Sequence, residues 1–219
     1  MSISDKTWKI TKALLICGIV APLLWVGNDI FTAMITQGYS YVNQAPSELS
    51  AVGAPTRTLW TAIGLLYSPL VIAFGAGVFR SASQNRALRI TGILLIVSGA
   101  VGFLWLPFPM HPRGAERTFI DTMHVVMAGV TILVMILFIG FGAAARGKWF
   151  RLYSILTILA MLGFGTLVGL QAPKIDVGPT PWMGAFERVS AYAPMLWMMV
   201  LAVLLLRDHG AGKSELTAK

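Results

Sequence analysis

Six long apolar segments restrict this chain to very few folds. Each is close to the roughly 20 residues that a helix needs to cross the hydrocarbon core of a bilayer. Because backbone hydrogen bonds must be satisfied inside the lipid, such segments predict an all-α bundle of six transmembrane helices forming one domain, 1–219. The predicted spans are 13–35, 58–79, 90–106, 118–145, 152–170 and 189–206, followed by a mobile polar tail at 207–219.

The overall composition also indicates a protein that resides in lipid. Hydrophobic residues make up 56% of the chain, charged residues only 12%, and the mean hydropathy is +0.73. Soluble domains carry about 25% charged residues. The single cysteine, Cys17, lies inside the first apolar segment, so no internal disulfide can form. That segment is long and is not closed by a small-residue cleavage site, so we interpret it as a span and not as a signal peptide.

Positive charge is distributed unevenly between the two ends of the predicted bundle. The N-terminus, the two short links and the tail hold 12 of the 17 basic residues and three acids, whereas the other end holds five basic residues and six acids. Membrane proteins concentrate Lys and Arg on the cytoplasmic side. We therefore predict cytoplasmic termini and a location in a plasma or bacterial inner membrane. The net charge of +8 then reflects topology and does not indicate nucleic-acid binding.

The predicted outer end carries three longer, proline-rich loops that collect most other polar residues. The densest polar stretch is 109–124, PMHPRGAERTFIDTMH, at the start of the fourth span. Within it, Asp121 and His124 are three residues apart, which places both on one face of a helix. An ionisable group within the membrane boundary needs a partner. We therefore expect this pair to face groups such as Asp29 or Arg188.

One hypothesis for this end is an enzyme that acts on a lipid-like substrate. His124 is the candidate catalytic base, with Asp121 or Glu187 as its partner. The same region suggests a site for a divalent metal such as zinc, with His124, Asp121 and His111 as ligands. No HExxH or CxxC motif supports zinc. The simpler interpretation is that Asp121 and His124 form a polar pair between helices and that His111 lies in a solvated loop.

A second hypothesis is a carrier or binding protein for a small or lipid-like molecule. Arginine at the membrane boundary binds phosphate or carboxylate well, because guanidinium forms two parallel hydrogen bonds with such groups. The interruption of the second span at Ser68-Pro69 is typical of membrane carriers. Alternatively, the arginines only neutralise the acids beside them. The predicted ligand-binding residues are Asp29, Glu48, Arg57, Arg113 and Arg188.

A third hypothesis is an accessory subunit of a membrane assembly. The fifth predicted span contains Gly163, Gly165 and Gly169. Small residues at such spacing let membrane helices approach each other closely. A partner helix packed on these glycines would explain why they occur in this span. All three hypotheses require contact with the lipid bilayer.

Three short motifs carry a resemblance to a known family. A proline turn, PFPMHP, stands at 107–112; Asp121-x-x-His124 opens the fourth span; and Gly184-x-x-Glu187-Arg188 opens the sixth, which contains Trp197. With the number of spans and the loop pattern, these motifs resemble the bacterial multipass membrane proteins grouped as domain of unknown function 998. The resemblance implies an integral membrane protein and assigns no reaction. The family pattern leads us to expect an acid where this chain has Met110-His111, which weakens a metal site built on His111.

Overall fold

The computed structural model describes residues 3–217, with the side chains of residues 7–209. All six α-helices are long and apolar enough to cross a membrane, and the described residues contain no strand. The predicted all-α membrane fold is confirmed at this level. The helices are α1 (Ile3–Ile35), α2 (Arg57–Ser81), α3 (Arg86–Phe103), α4 (Phe119–Ala145), α5 (Lys148–Gln171) and α6 (Met183–Thr217), with 3-10 turns at Pro46–Ser50 and Ala172–Lys174.

The largest differences from the predicted spans lie at the two ends of the chain. α1 begins at Ile3, before the predicted start at residue 13. α6 continues as a helix to Thr217, so the tail predicted at 207–219 is helical over most of its length. Residues 218–219 lie outside the described residues, and the mobility of the tail and the cytoplasmic location of both termini stay predictions.

Short polar signals determine where the central helices begin. At the start of α4, the Thr118 side chain accepts a hydrogen bond from the Ile120 backbone at 3.2 Å. Asp121 in turn accepts one from the Thr118 backbone at 2.9 Å. This reciprocal pair is a capping box, which explains why α4 starts where the sequence predicted. Pro69 lies inside α2 without ending it, as neighbouring membrane helices permit.

The six helices form a closed ring. Each helix packs against the next one along the chain, and α6 packs back against α1; α4 and α5 share the smallest of these interfaces. We call the end with the three long loops, 36–56, 104–118 and 172–182, the loop face. The terminal face is the opposite end, with the short links 82–85 and 146–147 and both chain ends.

The interior of the ring is filled near its terminal half by Trp197 of α6, which is fully buried. Its ring lies against Phe138 of α4 and Phe150 of α5, with both centroid distances 5.5 Å. Its indole nitrogen donates to Ser154 Oγ at 2.8 Å. A single side chain of α6 therefore joins α4 and α5, the two neighbours that contact each other least.

Helices α2 and α3 approach each other closely, whereas among the three α5 glycines only Gly165 has a near neighbour, with Ser190 Oγ 3.3 Å from an added Cβ. A Cβ added at Gly92 would lie 2.6 Å from the backbone nitrogen of Phe79, and one at Gly75 would lie 2.7 Å from the Gly92 carbonyl oxygen. In α5, Gly163 and Gly169 have no other atom within 4 Å of such a Cβ. These two glycines therefore form no close contact within the described chain.

Replacing Gly92 by alanine should lower the free energy of unfolding by about 1–3 kcal/mol, because backbone atoms of α2 cannot move away as a side chain would. Thermal unfolding in detergent, followed by tryptophan fluorescence, measures the change. Gly163→Ala is the matched control and should be close to wild type. Equal stability of the two variants would contradict the tight α2–α3 contact. Loss of a copurifying protein from Gly163→Ala alone would instead support the accessory-subunit hypothesis.

Candidate functional site

A buried ion pair between α1 and α6 lies beneath the loop face. Arg188 is 3% exposed and Asp29 is 0% exposed. The guanidinium binds the carboxylate through two hydrogen bonds, Nε to Oδ2 at 2.8 Å and Nη2 to Oδ1 at 2.9 Å. Tyr192 donates its hydroxyl to Asp29 at 2.5 Å, and Tyr39 accepts from Arg188 Nη2 at 2.8 Å. Both charges are thus fully hydrogen-bonded, the condition under which buried ion pairs are tolerated.

Arg188 also ties the first loop to α6. Its Nη1 donates to the Tyr41 carbonyl at 2.5 Å and to the Gln44 carbonyl at 3.2 Å. The guanidinium carbon lies 3.5 Å from the centre of the Tyr41 ring, within the range of a cation–π contact. A Cβ on Gly184, one turn earlier, would lie 2.2 Å from the Gln44 carbonyl oxygen. Glycine at this position therefore allows the loop to close over the arginine.

A second ion pair joins the first loop to the second. Arg113 donates from Nε to Glu48 Oε2 at 2.7 Å and from Nη2 to Oε1 at 2.8 Å. Glu48 further accepts from the Ala45 backbone at 2.8 Å and from the Gln44 amide at 2.9 Å. The hydrogen bond to Glu48 raises the pKa of Arg113. Two predicted ligand-binding residues are thus adjacent, and they neutralise each other.

The Asp121 carboxylate is the centre of a third cluster, which joins the second loop to the third. It accepts from the His111 backbone and from His111 Nδ1, both at 2.8 Å, and from Arg117 at 3.2 Å. Arg117 also binds Asp176, donating from Nε at 2.7 Å. That hydrogen bond lowers the pKa of the Asp176 carboxyl. The cluster therefore holds His111 and Arg117 against the buried Asp121 carboxylate, and Arg117 connects it to Asp176 of the third loop.

His124 has different partners from Asp121, although the two share a helix face. Its Nδ1 donates to the Phe108 carbonyl at 2.8 Å. Its ring meets that of Trp105 edge-on at 4.9 Å. Neither Asp29 nor Arg188 is among these partners, because they bind each other. The geometry therefore does not reproduce the expected contact between the Asp121/His124 pair and the buried ion pair.

The residues predicted as zinc ligands do not fit a metal site in this arrangement. Among the residues with described side chains, 7–209, no three His, Cys, Asp or Glu converge as a metal site requires. Asp121 already accepts hydrogen bonds on both oxygens, and one of its donors is the His111 ring. His124 is oriented by a backbone carbonyl.

Two other predicted residues lie outside the three clusters. Glu187 is half-buried and has no hydrogen-bond or ion-pair partner among the described residues, although Arg188 follows it in the chain. Arg57 donates to the Ser50 carbonyl at 3.4 Å and forms no ion pair with a described residue. Neither residue contributes to a described cluster through a hydrogen bond.

All three loops meet at a cleft of about 330 Å³ on the loop face. Asn43 holds its walls together: the Asn43 carbonyl accepts from Thr180 Oγ1 at 2.9 Å, and its side chain accepts from the Trp182 backbone at 3.0 Å. Of the predicted site residues, only Arg113 lines the cleft. The lining residues are Ser40, Asn43, Gln44, Arg113, Pro179, Thr180 and Pro181.

A comparison with known proteins agrees with the family resemblance that the sequence motifs suggested. A family model described as "Protein of unknown function (DUF998)" matches residues 19–204. The chain belongs to the DUF998 family. The matched region of this DUF998 protein contains all three clusters and the cleft. No curated protein and no solved structure matches the chain.

Proposed function

We propose that this DUF998 protein binds the hydroxylated headgroup of a lipid-like molecule in the loop-face cleft. The observation that carries the proposal is the cleft itself, whose volume of about 330 Å³ falls in the range typical of small-molecule sites. One wall comes from each of the three loops. A headgroup at this position would lie at the membrane boundary, where the helices end.

The chemistry of the lining favours hydroxyl groups over a charged headgroup. The charge of Arg113 is balanced by Glu48, which takes up two of its three guanidinium nitrogens. The third nitrogen, Nη1, makes no hydrogen bond to a described residue and remains available as a donor. Ser40 and Gln44 add a hydroxyl and an amide. Such a surface donates and accepts hydrogen bonds without excess charge, as recognition of a sugar or glycerol group requires.

The cleft is also held in shape before any ligand arrives. Arg188 fixes the first loop, Glu48 fixes Arg113, and Asp176 fixes the third loop through Arg117. Binding to a preorganised site loses little conformational entropy, which favours affinity.

Apolar side chains beside the cleft suit the rest of an amphiphilic ligand. Trp182 and Val42, next to cleft residues in sequence, are both exposed, as is Val177 of the third loop. Tryptophan commonly lies at the boundary between headgroups and acyl chains. These positions support a ligand with a polar headgroup and an apolar tail.

A titration with short-chain amphiphiles tests the proposal. The protein is purified in an amine-oxide detergent and titrated with octyl glucoside and monooctanoylglycerol, with octyltrimethylammonium as the comparison, by tryptophan fluorescence. The two hydroxylated compounds should bind saturably. Arg113→Gln should weaken their binding by about tenfold or more, the effect of losing a hydrogen bond from a charged donor.

Arg57→Gln is the matched control, because Arg57 is on the loop face but does not line the cleft. It should bind like wild type. Ser40→Ala is the second test variant if Arg113→Gln does not fold, since it removes the hydroxyl that Ser40 adds to the cleft. Equal binding of all three compounds, or equal loss in the Arg57 and Arg113 variants, would overturn the proposal.

The remaining predictions have weaker support from the geometry. A lipid-directed enzyme using His124, Asp121 and Glu187 stays a hypothesis, because Asp121 is engaged by other groups and His124 is held by a backbone carbonyl. Cytoplasmic termini, and hence an external loop face, rest on the charge asymmetry alone. Cysteine labelling of single-cysteine variants in intact cells would decide the orientation.

A further inference from the structure

A second cleft, of about 390 Å³, opens on the terminal face. Four helices, α2, α3, α4 and α6, and both short links line it. Its chemistry is separate from that of the loop face, since no residue of the three clusters lines it. The lining residues are Ser81, Ala82, Asn85, Leu88, Ala145, Arg146, Gly147, Leu205, Asp208 and His209.

Arg146 is the principal charged group in this cleft. Its Nη1 donates to Asp208 Oδ2 at 2.8 Å, and its guanidinium carbon lies 5.9 Å from the centre of the Phe150 ring. The Asp208 side chain is 54% exposed, so this ion pair is largely solvated. Solvated ion pairs contribute little to stability. Another anion can therefore replace Asp208 on Arg146 at little cost.

His209 adds a second oriented group. Its Nδ1 bonds to the Leu205 carbonyl at 2.9 Å, so this nitrogen carries the proton. The ring stacks on Trp8 of α1, with centroids 4.9 Å apart and planes at 10°. These two contacts fix the orientation of the imidazole at one wall of the cleft.

Asn85 connects two parts of the cleft wall, the end of α4 and the start of α3. Its side-chain nitrogen donates to the Ala145 carbonyl at 2.9 Å, while its oxygen accepts from the Leu88 backbone at 3.0 Å. The link that carries Arg146 is thereby attached to the start of α3. The guanidinium is thus presented from a backbone that is anchored on both sides of the cleft.

From this arrangement we propose that the terminal-face cleft binds a phosphate group, independently of the function proposed for the loop face. A phosphate can accept two parallel hydrogen bonds from a guanidinium. Asp208 accepts only one from Arg146, through Oδ2. Besides Arg146, the basic residues Arg80, Arg86, Arg89, Lys148 and Arg207 lie near the links or the helix ends at this face, so the local field favours an anion. The cleft lies at the helix ends, where the phosphate of a membrane lipid and a soluble phosphate both have access.

Binding to the delipidated protein in maltoside micelles tests the proposal and separates the two sources. The probes are dihexanoyl phosphatidic acid, inorganic phosphate and glycerol 3-phosphate, with binding followed by the shift in thermal unfolding. Saturable binding of phosphatidic acid alone identifies a lipid phosphate, and binding of all three identifies a soluble one. Arg146→Gln should weaken binding by about tenfold or more. Asp208→Asn should tighten it several-fold, because it frees Arg146.

Arg207→Gln is the matched control, with the same change of charge on α6 beside Asp208 but outside the cleft lining. A specific site requires Arg207→Gln to bind like wild type. Equal weakening in the two arginine variants would show only general attraction of anions, and absence of saturable binding by any probe would also overturn the proposal. If Arg146→Gln does not fold, the tighter binding expected of Asp208→Asn provides the same test.

Discussion

Replacing Arg188 by methionine should destabilise the protein by about 3–5 kcal/mol, the cost of leaving one member of a buried ion pair without its partner. Asp29 would be left in a fully buried position without its ion-pair partner and with only the Tyr192 hydroxyl as a donor. Methionine retains much of the side-chain length, so the loss reflects charge and hydrogen bonds more than volume. Thermal unfolding and the fraction of monodisperse protein in detergent measure the effect.

The double variant Asp29→Asn/Arg188→Met is the decisive control for this expectation. Asparagine keeps a hydrogen-bond acceptor for Tyr192 and removes the unpaired charge, so the double variant should recover most of the lost stability. Near wild-type stability of the single variant would contradict a buried, tightly coupled pair. A double variant no better than the single would show that the carboxylate charge is not the source of the loss.

The same substitution should also release the first loop. Arg188 donates to the carbonyls of Tyr41 and Gln44, so the loop loses two of its anchors on α6. Faster proteolysis within 36–56, with unchanged cleavage in 104–118, would separate this local effect from global unfolding. The buried pair therefore links stability to the shape of the proposed binding cleft.

The fold was predictable because its determinants are local. Length and hydropathy define each span, and α4 starts within one residue of the predicted position, where the structure has a capping box formed by Thr118 and Asp121. The closed ring was not predictable in this way. It depends on α6 packing against α1, a contact between residues far apart in sequence, as the Asp29–Arg188 pair illustrates.

The partners of the charged residues were much harder to predict than their location. We expected Asp121 and His124 to face Asp29 or Arg188, because ionisable groups at the membrane boundary need partners. This expectation was wrong, since Asp29 and Arg188 bind each other. The loop path instead brings the His111 ring to Asp121 and the Phe108 carbonyl to His124. Helical periodicity contains no information about how a proline-rich loop folds back on its own helix.

Several residues that complete the site were missed because their contacts depend on tertiary structure. Tyr39 and Tyr192 resemble ordinary residues of the membrane boundary in sequence, yet both bond to the buried pair. Burial raises the pKa of the Tyr39 phenol, which keeps it a neutral hydrogen-bonding group. Asp176, the only acid in its loop, gave the one available signal, since an isolated acid between prolines suggests a partner elsewhere.

Replacing Trp197 by alanine should lower the free energy of unfolding by about 3–5 kcal/mol, the range for deleting a large buried aromatic side chain. Within a bilayer the loss comes from packing more than from the hydrophobic effect, because lipid is as apolar as the ring. The ring fills the space between Phe138 and Phe150. A cavity there would separate α4 from α5. Thermal unfolding measured in one detergent at fixed lipid content gives the change.

Trp149→Ala supplies the matched control, because Trp149 lies on α5 but is 74% exposed. It should unfold near the wild-type temperature. Trp197→Phe keeps most of the ring and loses the hydrogen bond to Ser154, so its stability should lie between those of wild type and Trp197→Ala. If Trp197→Ala were no less stable than Trp149→Ala, α4 and α5 would have to be joined by contacts other than this ring. Because α4 and α5 share the smallest interface between neighbours, the ring is the contact whose loss should open the bundle first.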